Sequence, residues 1–361
     1  MTPSRDGPVP PGARYTLLDG LRGLAAVIIV IHHFTAMSGM HETFASASIA
    51  VDFFFCLGGF VIAHTYHRRL LAGMTLRDYA SRRLLRLYPM FLVGCAIGFL
   101  ALVLGKTIGT TDLSWGDIEG AAVLNSLYMP FPNRGYLEIF HFKVAAPLFP
   151  LNGPAWSLFF ALLANAIYAV VIRRSLLAPA FFMAAAGVAM LATGTSLGEA
   201  PGWGTFNMLG GLSRVMFAFF AGVVIFQLQP HLQRLPRIPA RNIAAFAVLM
   251  LAVPRFPGHF YYWLGASFIA VPLLVALAAR HTTVDPPWRE VCSFSASMSY
   301  PIFCVHYPLL MLFAIAFGAR VSPSLLAIYV VTTLVVSYLL LRYVERPMRA
   351  WLRARTVEVT T

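Results

Sequence analysis

The residues of this chain that are able to do chemistry lie in or beside long apolar runs, where ionisable groups are costly and default to functional roles. The segment LLDGLRGLAAVIIVIHHF, starting at Leu17, carries Asp19, Arg22, His32 and His33. Arg22 and His33 are eleven residues apart. At about 100° per residue this is within about 20° of three full helical turns, so the two share a face, separated by about 16 Å of rise. His32 points about 100° away and is the weaker candidate. A neutral imidazole in apolar surroundings is a suitable general base near pH 7, and a fixed guanidinium suits phosphate or carboxylate. Together they describe a ligand laid along the helix, its anionic part at Arg22 and its reacting group at His33. A histidine bonded between helices and an arginine snorkelling to the interface is the bland alternative.

The next apolar run, SIAVDFFFCLGGFVIAHTYHRR, has Asp52 near its start. The short connection from the first run returns the chain beside it, so Asp52 is expected to reach His33 and orient the imidazole. A hydrated carboxylate at a helix end is the competing reading. Gly58 and Gly59 permit close approach of a helix or ligand. A basic stretch follows, with Arg68, Arg69, Arg77, Arg82, Arg83 and Arg86 before Tyr88-Pro89. Arg82, Arg83 and Arg86 crowd one side of a helical turn, a pattern fit for lipid headgroups or the phosphates of a nucleotide-like ligand. Later candidates are Trp156, Ser157, Asn165, Arg214, His306 and Glu345. Asn165 and His306 are read first as interhelical hydrogen-bond partners. Arg214 lies mid-run and requires a partner or water.

The elements holding these residues are membrane spans. Hydrophobic residues make up 59% of the 361 and charged ones 11%, against about 25% charged in soluble domains. The expected class is all-α and polytopic, with about ten transmembrane helices at 18–38, 50–67, 88–105, 155–172, 177–195, 207–228, 242–254, 259–279, 299–319 and 323–342. Tails at 1–17 and 346–361 flank a body at 18–345. With the N-terminus inside, 20 Lys and Arg fall on the inner side and five on the outer, so both termini are read as cytoplasmic. The net charge of +13 is thus topological rather than a sign of nucleic-acid binding. The first apolar run is read as a retained helix, not a signal peptide. Residues 118–130 are too short to span and read as interfacial. The long outer loop at 106–154 is of a length that covers sites. The four cysteines match no zinc or redox spacing, so free thiols and no metal are expected. No internal repeat of the transporter kind is visible.

The motifs resemble those of the acyltransferase-3 family of integral membrane acyltransferases. LDGLRGLAAVIIVIHHF resembles its opening signature, VDFFFCLGGFVIA its second-helix motif and RRLLRLYPMF its basic motif. PAWSLFF, SYPIFCVHYPLL and VERPMR resemble the fourth-helix and C-terminal motifs, in family order. The resemblance implies transfer of an acyl group, commonly acetyl, from cytoplasmic acyl-CoA to a hydroxyl of a carbohydrate or natural product, often an envelope polysaccharide or its lipid-linked precursor. It also implies a bacterial inner-membrane location, His33 as catalytic base, and Arg22, Arg82, Arg83 and Arg86 on the CoA phosphates. The chain departs from the pattern at Ala161, where similar proteins carry Glu, and at Gly58, where many carry Ser. Rival readings are a transporter or flippase, an intramembrane serine protease using Ser157 and His306, and a catalytically silent relative that binds without transfer.

Overall fold

The computed structural model describes residues 15–40, 43–197, 200–232, 234, 237–282, 288–318 and 320–351. Most of both expected tails lies outside these. Thirteen α-helices are formed among them: α1 Thr16–Met37, α2 Ser48–Leu71, α3 Leu76–Ile108, α4 Trp115–Ser126, α5 Ala155–Val171, α6 Ala178–Leu197, α7 Met208–Gln227, α8 Gln229–Leu232, α9 Ala240–Ala252, α10 His259–Gly265, α11 Val271–Ala278, α12 Trp288–Phe317 and α13 Pro323–Leu340. A π-helical turn, Ala266–Ala270, joins α10 to α11, and a second, Leu341–Glu345, extends α13.

The protein is an all-α membrane protein. Seven helices are long and apolar enough to cross a bilayer, and Ala155–Val171, Ala178–Gly194 and Ala240–Ala252 are shorter apolar ones. Each of the ten expected spans falls on one of these helices, and the interfacial segment on α4. The sole departure from all-helical architecture among the described residues is a hairpin of β1 Tyr136–Ile139 and β2 Phe142–Ala145, paired Tyr136 to Ala145 through Ile139 to Phe142.

Two close helix crossings position the site. Near-touching backbones are the usual way to bind helices in lipid, where apolar burial supplies no driving force between them. At the first crossing, a Cβ on Gly59 of α2 would stand 1.8 Å from the Phe219 carbonyl oxygen of α7, and one on Gly222 would stand 1.9 Å from that of Cys56. At the second, Gly20 and Gly23 of α1 face Cys292 and Ser295 of α12. Helices α1 and α12 therefore lie side by side in the same direction, and their residues meet in step.

The segment between α3 and α5 packs onto one end of the bundle. Leu148, Phe149 and Leu151 are buried. Pro308 has no N–H for the carbonyl of Cys304, and Asn152 Nδ2 donates to that carbonyl instead, at 3.0 Å. Gly153 abuts the Tyr307 ring. The hairpin end of the bundle is thereby closed over α12 at the level of His306.

Candidate functional site

Helix α1 carries the candidate groups from its first turns to near its end. Near its start, Arg22 Nη2 donates to the Ala296 carbonyl of α12 at 2.5 Å. Its Nε is buried and has no hydrogen-bond partner. Asp19, Arg86, Arg349 and Glu345 are the charged groups that act on it. Arg83, on α3, likewise has a buried Nε without a partner, with Tyr79, Arg86, Tyr66 and Tyr300 around it. Arg82 and Arg86 are exposed. Glu345 is buried at 3% exposure, pairs with Arg349, and lies in the field of Arg86, Arg22 and Arg346. The structure thus gathers the arginines of α1, α3 and the end of α13 into one corner. The buried Nε of Arg22 and that of Arg83 there have no hydrogen-bond partner, and a guanidinium N–H of this kind is suited to an anion.

Three turns further along α1, His33 is half-buried. Its Nδ1 lies 3.0 Å from Nε2 of His306. The rings are parallel within 2°, with centroids 5.2 Å apart, and Tyr307 meets His33 edge-on at 5.7 Å. His32 is tilted 43° from His33 on the neighbouring face. Nδ1 of His306 is 2.8 Å from the Ile302 carbonyl oxygen and 3.1 Å from that of Phe303. Tyr329 donates to the His306 carbonyl at 2.8 Å, fixing that turn of α12.

Asp52 is corrected by this geometry: it does not orient His33. Its carboxylate is fully buried and bound by Arg214, with Nε to Oδ1 at 2.6 Å and Nη2 to Oδ2 at 3.0 Å. Trp263 Nε1 and Ser267 Oγ each donate to Oδ2 at 2.9 Å. The other Arg214 donors go to the Ser48 and Pro201 carbonyls, and its guanidinium lies over the Trp156 and Trp263 rings at 5.7 and 5.2 Å. The physical reason is charge. A buried carboxylate is stabilised far more by a bidentate guanidinium than by a neutral imidazole. Arg214 required a partner by its position, and Asp52 is that partner.

The remaining candidates are local. Ser157 Oγ donates to the Pro154 carbonyl at 2.8 Å, and the Nε2 of His306 is engaged by His33, so the two do not form a nucleophile–base pair. Asn165 accepts from Tyr79 at 3.0 Å and donates to the Ala161 carbonyl at 2.5 Å. Trp263 and Ser267 escaped the sequence reading. They lie in a run with no charged residue, and their approach to Asp52 depends on the π-helical turn at Ala266, which leaves no sequence signature of its own. All four cysteines are free, and no group of three His, Cys, Asp or Glu that would hold a metal occurs among the described residues.

No solved structure matches this chain. "Protein 2 in picA locus" of Rhizobium radiobacter is 39% identical over 168 residues, covering 44% of this chain and 83% of that protein. The family model for the acyltransferase domain, acyltransferase-3, matches residues 15–342. With that match extending over nearly the whole described bundle, the chain belongs to the acyltransferase-3 family of membrane proteins.

Proposed function

We propose that this protein is a membrane O-acyltransferase that moves an acyl group, of the acetyl class, from acyl-CoA to a hydroxyl of a carbohydrate or natural-product acceptor. The observation that carries this reading is the shared face of α1. It joins a basic corner, where the buried Nε of Arg22 and that of Arg83 have no hydrogen-bond partner, to a half-buried imidazole, His33, about 16 Å from Arg22 along the helix. A donor whose phosphates and reacting thioester are separated by a long flexible arm fits such a stripe.

The chain is oriented with both termini inside and ten spans, following the distribution of Lys and Arg. The arginine corner then faces the cytosol, where acyl-CoA is found, and the location is a bacterial inner membrane. Arg22 and Arg83 hold phosphate oxygens, and exposed Arg82 and Arg86 add to the attraction. His33 takes the proton of the acceptor hydroxyl as that oxygen bonds to the acyl carbon. The carbon–sulfur bond breaks, and His33 returns the proton to the departing thiolate. General-base assistance of this kind supplies about 10²–10⁴-fold in rate.

The test needs no acceptor. Thermal stability of the purified protein in detergent is measured with acetyl-CoA, CoA or acetate, for wild type and Arg83→Ala. A ligand bound only by the folded state raises stability with occupancy. Acetyl-CoA is expected to stabilise the wild type and to do so less in the variant. No shift at about 1 mM acetyl-CoA would sink the donor assignment. Binding without transfer to any acceptor would favour the silent-relative reading, which Ala161 on α5 keeps in play.

A further inference from the structure

The His33–His306 pair has a built-in direction. Nδ1 of His306 lies 2.8 Å from the Ile302 carbonyl oxygen and 3.1 Å from that of Phe303. Carbonyl oxygens only accept, so Nδ1 carries the ring proton of His306, and Nε2 of the neutral ring is then an acceptor. That Nε2 is 3.0 Å from Nδ1 of His33, so His33 must donate from Nδ1. The lone pair of neutral His33 is left on Nε2. The opposite polarity would need His306 protonated on both nitrogens. Among the described residues, no carboxylate is hydrogen-bonded to either ring, and His306 is 1% exposed; an isolated buried cation is strongly disfavoured there.

We infer that His306 is a positioning residue, which locks His33 in its Nδ1-protonated tautomer and so makes Nε2 of His33 the proton-accepting atom. The inference rests on the proposed role of His33 and adds what fixes it. The task that a carboxylate performs in a catalytic triad, holding the imidazole in the correct tautomer, falls here to a helix carbonyl acting through a second imidazole. The anchor is rigid. Tyr329 holds the His306 carbonyl at 2.8 Å, and Asn152 holds the Cys304 carbonyl that Pro308 leaves without a helical donor. When His33 gains a proton at Nε2, its Nδ1–H bond to His306 is unchanged, so the pair does not rearrange during transfer.

The wild-type protein provides the first readout. In ¹⁵N-histidine-labelled protein at neutral pH, with the His33 signals assigned by their loss in His33→Gln, Nδ1 is expected to be protonated and Nε2 bare. The reverse pattern overturns the inference, and this readout needs no folded His306 variant.

Kinetics give the second, by following CoA release from acetyl-CoA with membrane extract of the source cells as acceptor. Loss of a correct tautomer costs up to about 10⁴-fold in rate. His306→Ala is expected to lower kcat by about 10²-fold or more, with KM for acetyl-CoA changed less than about threefold. His306→Gln places an amide oxygen where Nε2 accepted and is expected to stay within about tenfold of wild type. Equal losses in both variants, or none in His306→Ala while His33→Ala is dead, overturn the positioning role. Activity retained in His33→Ala would instead overturn the proposed function, so the two failures are distinguishable.

Discussion

Arg214 of α7 grips Asp52 of α2 through two nitrogens, at 2.6 and 3.0 Å, with Trp263 and Ser267 completing the carboxylate's partners at 2.9 Å. The Arg214 bonds tie α7 to α2, and those of Trp263 and Ser267 tie that pair to α10 and the π-helical turn after it. The pair is therefore a fastener of helices, and its deletion should be read in stability before activity. Removing one member of a buried pair leaves the other charge uncompensated, at a cost of about 3–5 kcal/mol. Arg214→Met is expected to lower the melting temperature in detergent sharply, and Asp52→Leu in the same chain to recover part of the loss. Were Asp52→Asn to lower kcat strongly at unchanged melting temperature, Asp52 would belong to the chemistry after all.

Adjacent glycines on α2 should answer oppositely to the same change. A Cβ on Gly59 would collide with the Phe219 carbonyl of α7, whereas one on Gly58 meets nothing within 4 Å. Gly58→Ala is expected to be tolerated. Gly59→Ala forces two backbones apart, and overpacking of this kind costs about 1–3 kcal/mol. Melting temperatures of the two variants, prepared in parallel, check the contrast. Equal melting temperatures would contradict the α2–α7 crossing.

The start of α4 should carry a local acid sensitivity. Ser114 accepts from the Asp117 N–H at 3.1 Å, and Asp117 accepts from the Ser114 N–H at 2.9 Å and hydroxyl at 2.7 Å. The Ser114 hydroxyl and N–H hold the Asp117 carboxyl below its ordinary range. A carboxyl lowered on folding contributes stability above its unfolded pKa, lost as pH falls through the folded one. Amide exchange in the first turn of α4 is expected to quicken, beyond its intrinsic pH trend, as the medium is acidified below the usual carboxylate range. Asp117→Asn should abolish that extra dependence; an unchanged profile would show that the cap is not formed.

Periodicity and charge made the long helices and the Arg22–His33 stripe legible, because lipid enforces long apolar runs and makes each interruption conspicuous. The partners of those interruptions were not legible. Asp52 is next to α1 in sequence, yet it binds Arg214, 162 residues away, because helix rotation decides which face meets which neighbour. His306 read first as a plain interhelical hydrogen-bond partner, and only the crossing of α1 and α12 brings it to His33. The glycines of α1 and α12's small residues set that crossing, and nothing in their spacing separates them from glycines at open surfaces such as Gly58.

The arginine corner makes the sharpest demand. Arg22 and Arg83 each keep a buried Nε without an acceptor, while Arg82 and Arg86 are exposed to solvent. A hydrogen bond to a charged group is worth about 1.5–3 kcal/mol when its partners are desolvated, whereas exposed charges are worth about 1 kcal/mol or less. Buried and exposed arginines should thus separate in their effect on donor binding. Arg83→Ala is expected to weaken acetyl-CoA binding by about 10–150-fold, and Arg82→Ala by less than about tenfold. Arg83→Lys should restore little, since a point-like ammonium cannot present the planar guanidinium edge. Raising salt should erode the contribution of Arg82 more than that of Arg83, because screening acts chiefly on exposed charges. Calorimetric titration of the purified variants with acetyl-CoA at two ionic strengths measures all of this. Equal losses at Arg82 and Arg83 would mean that the donor is attracted by the basic surface as a whole, with no seat at the end of α1.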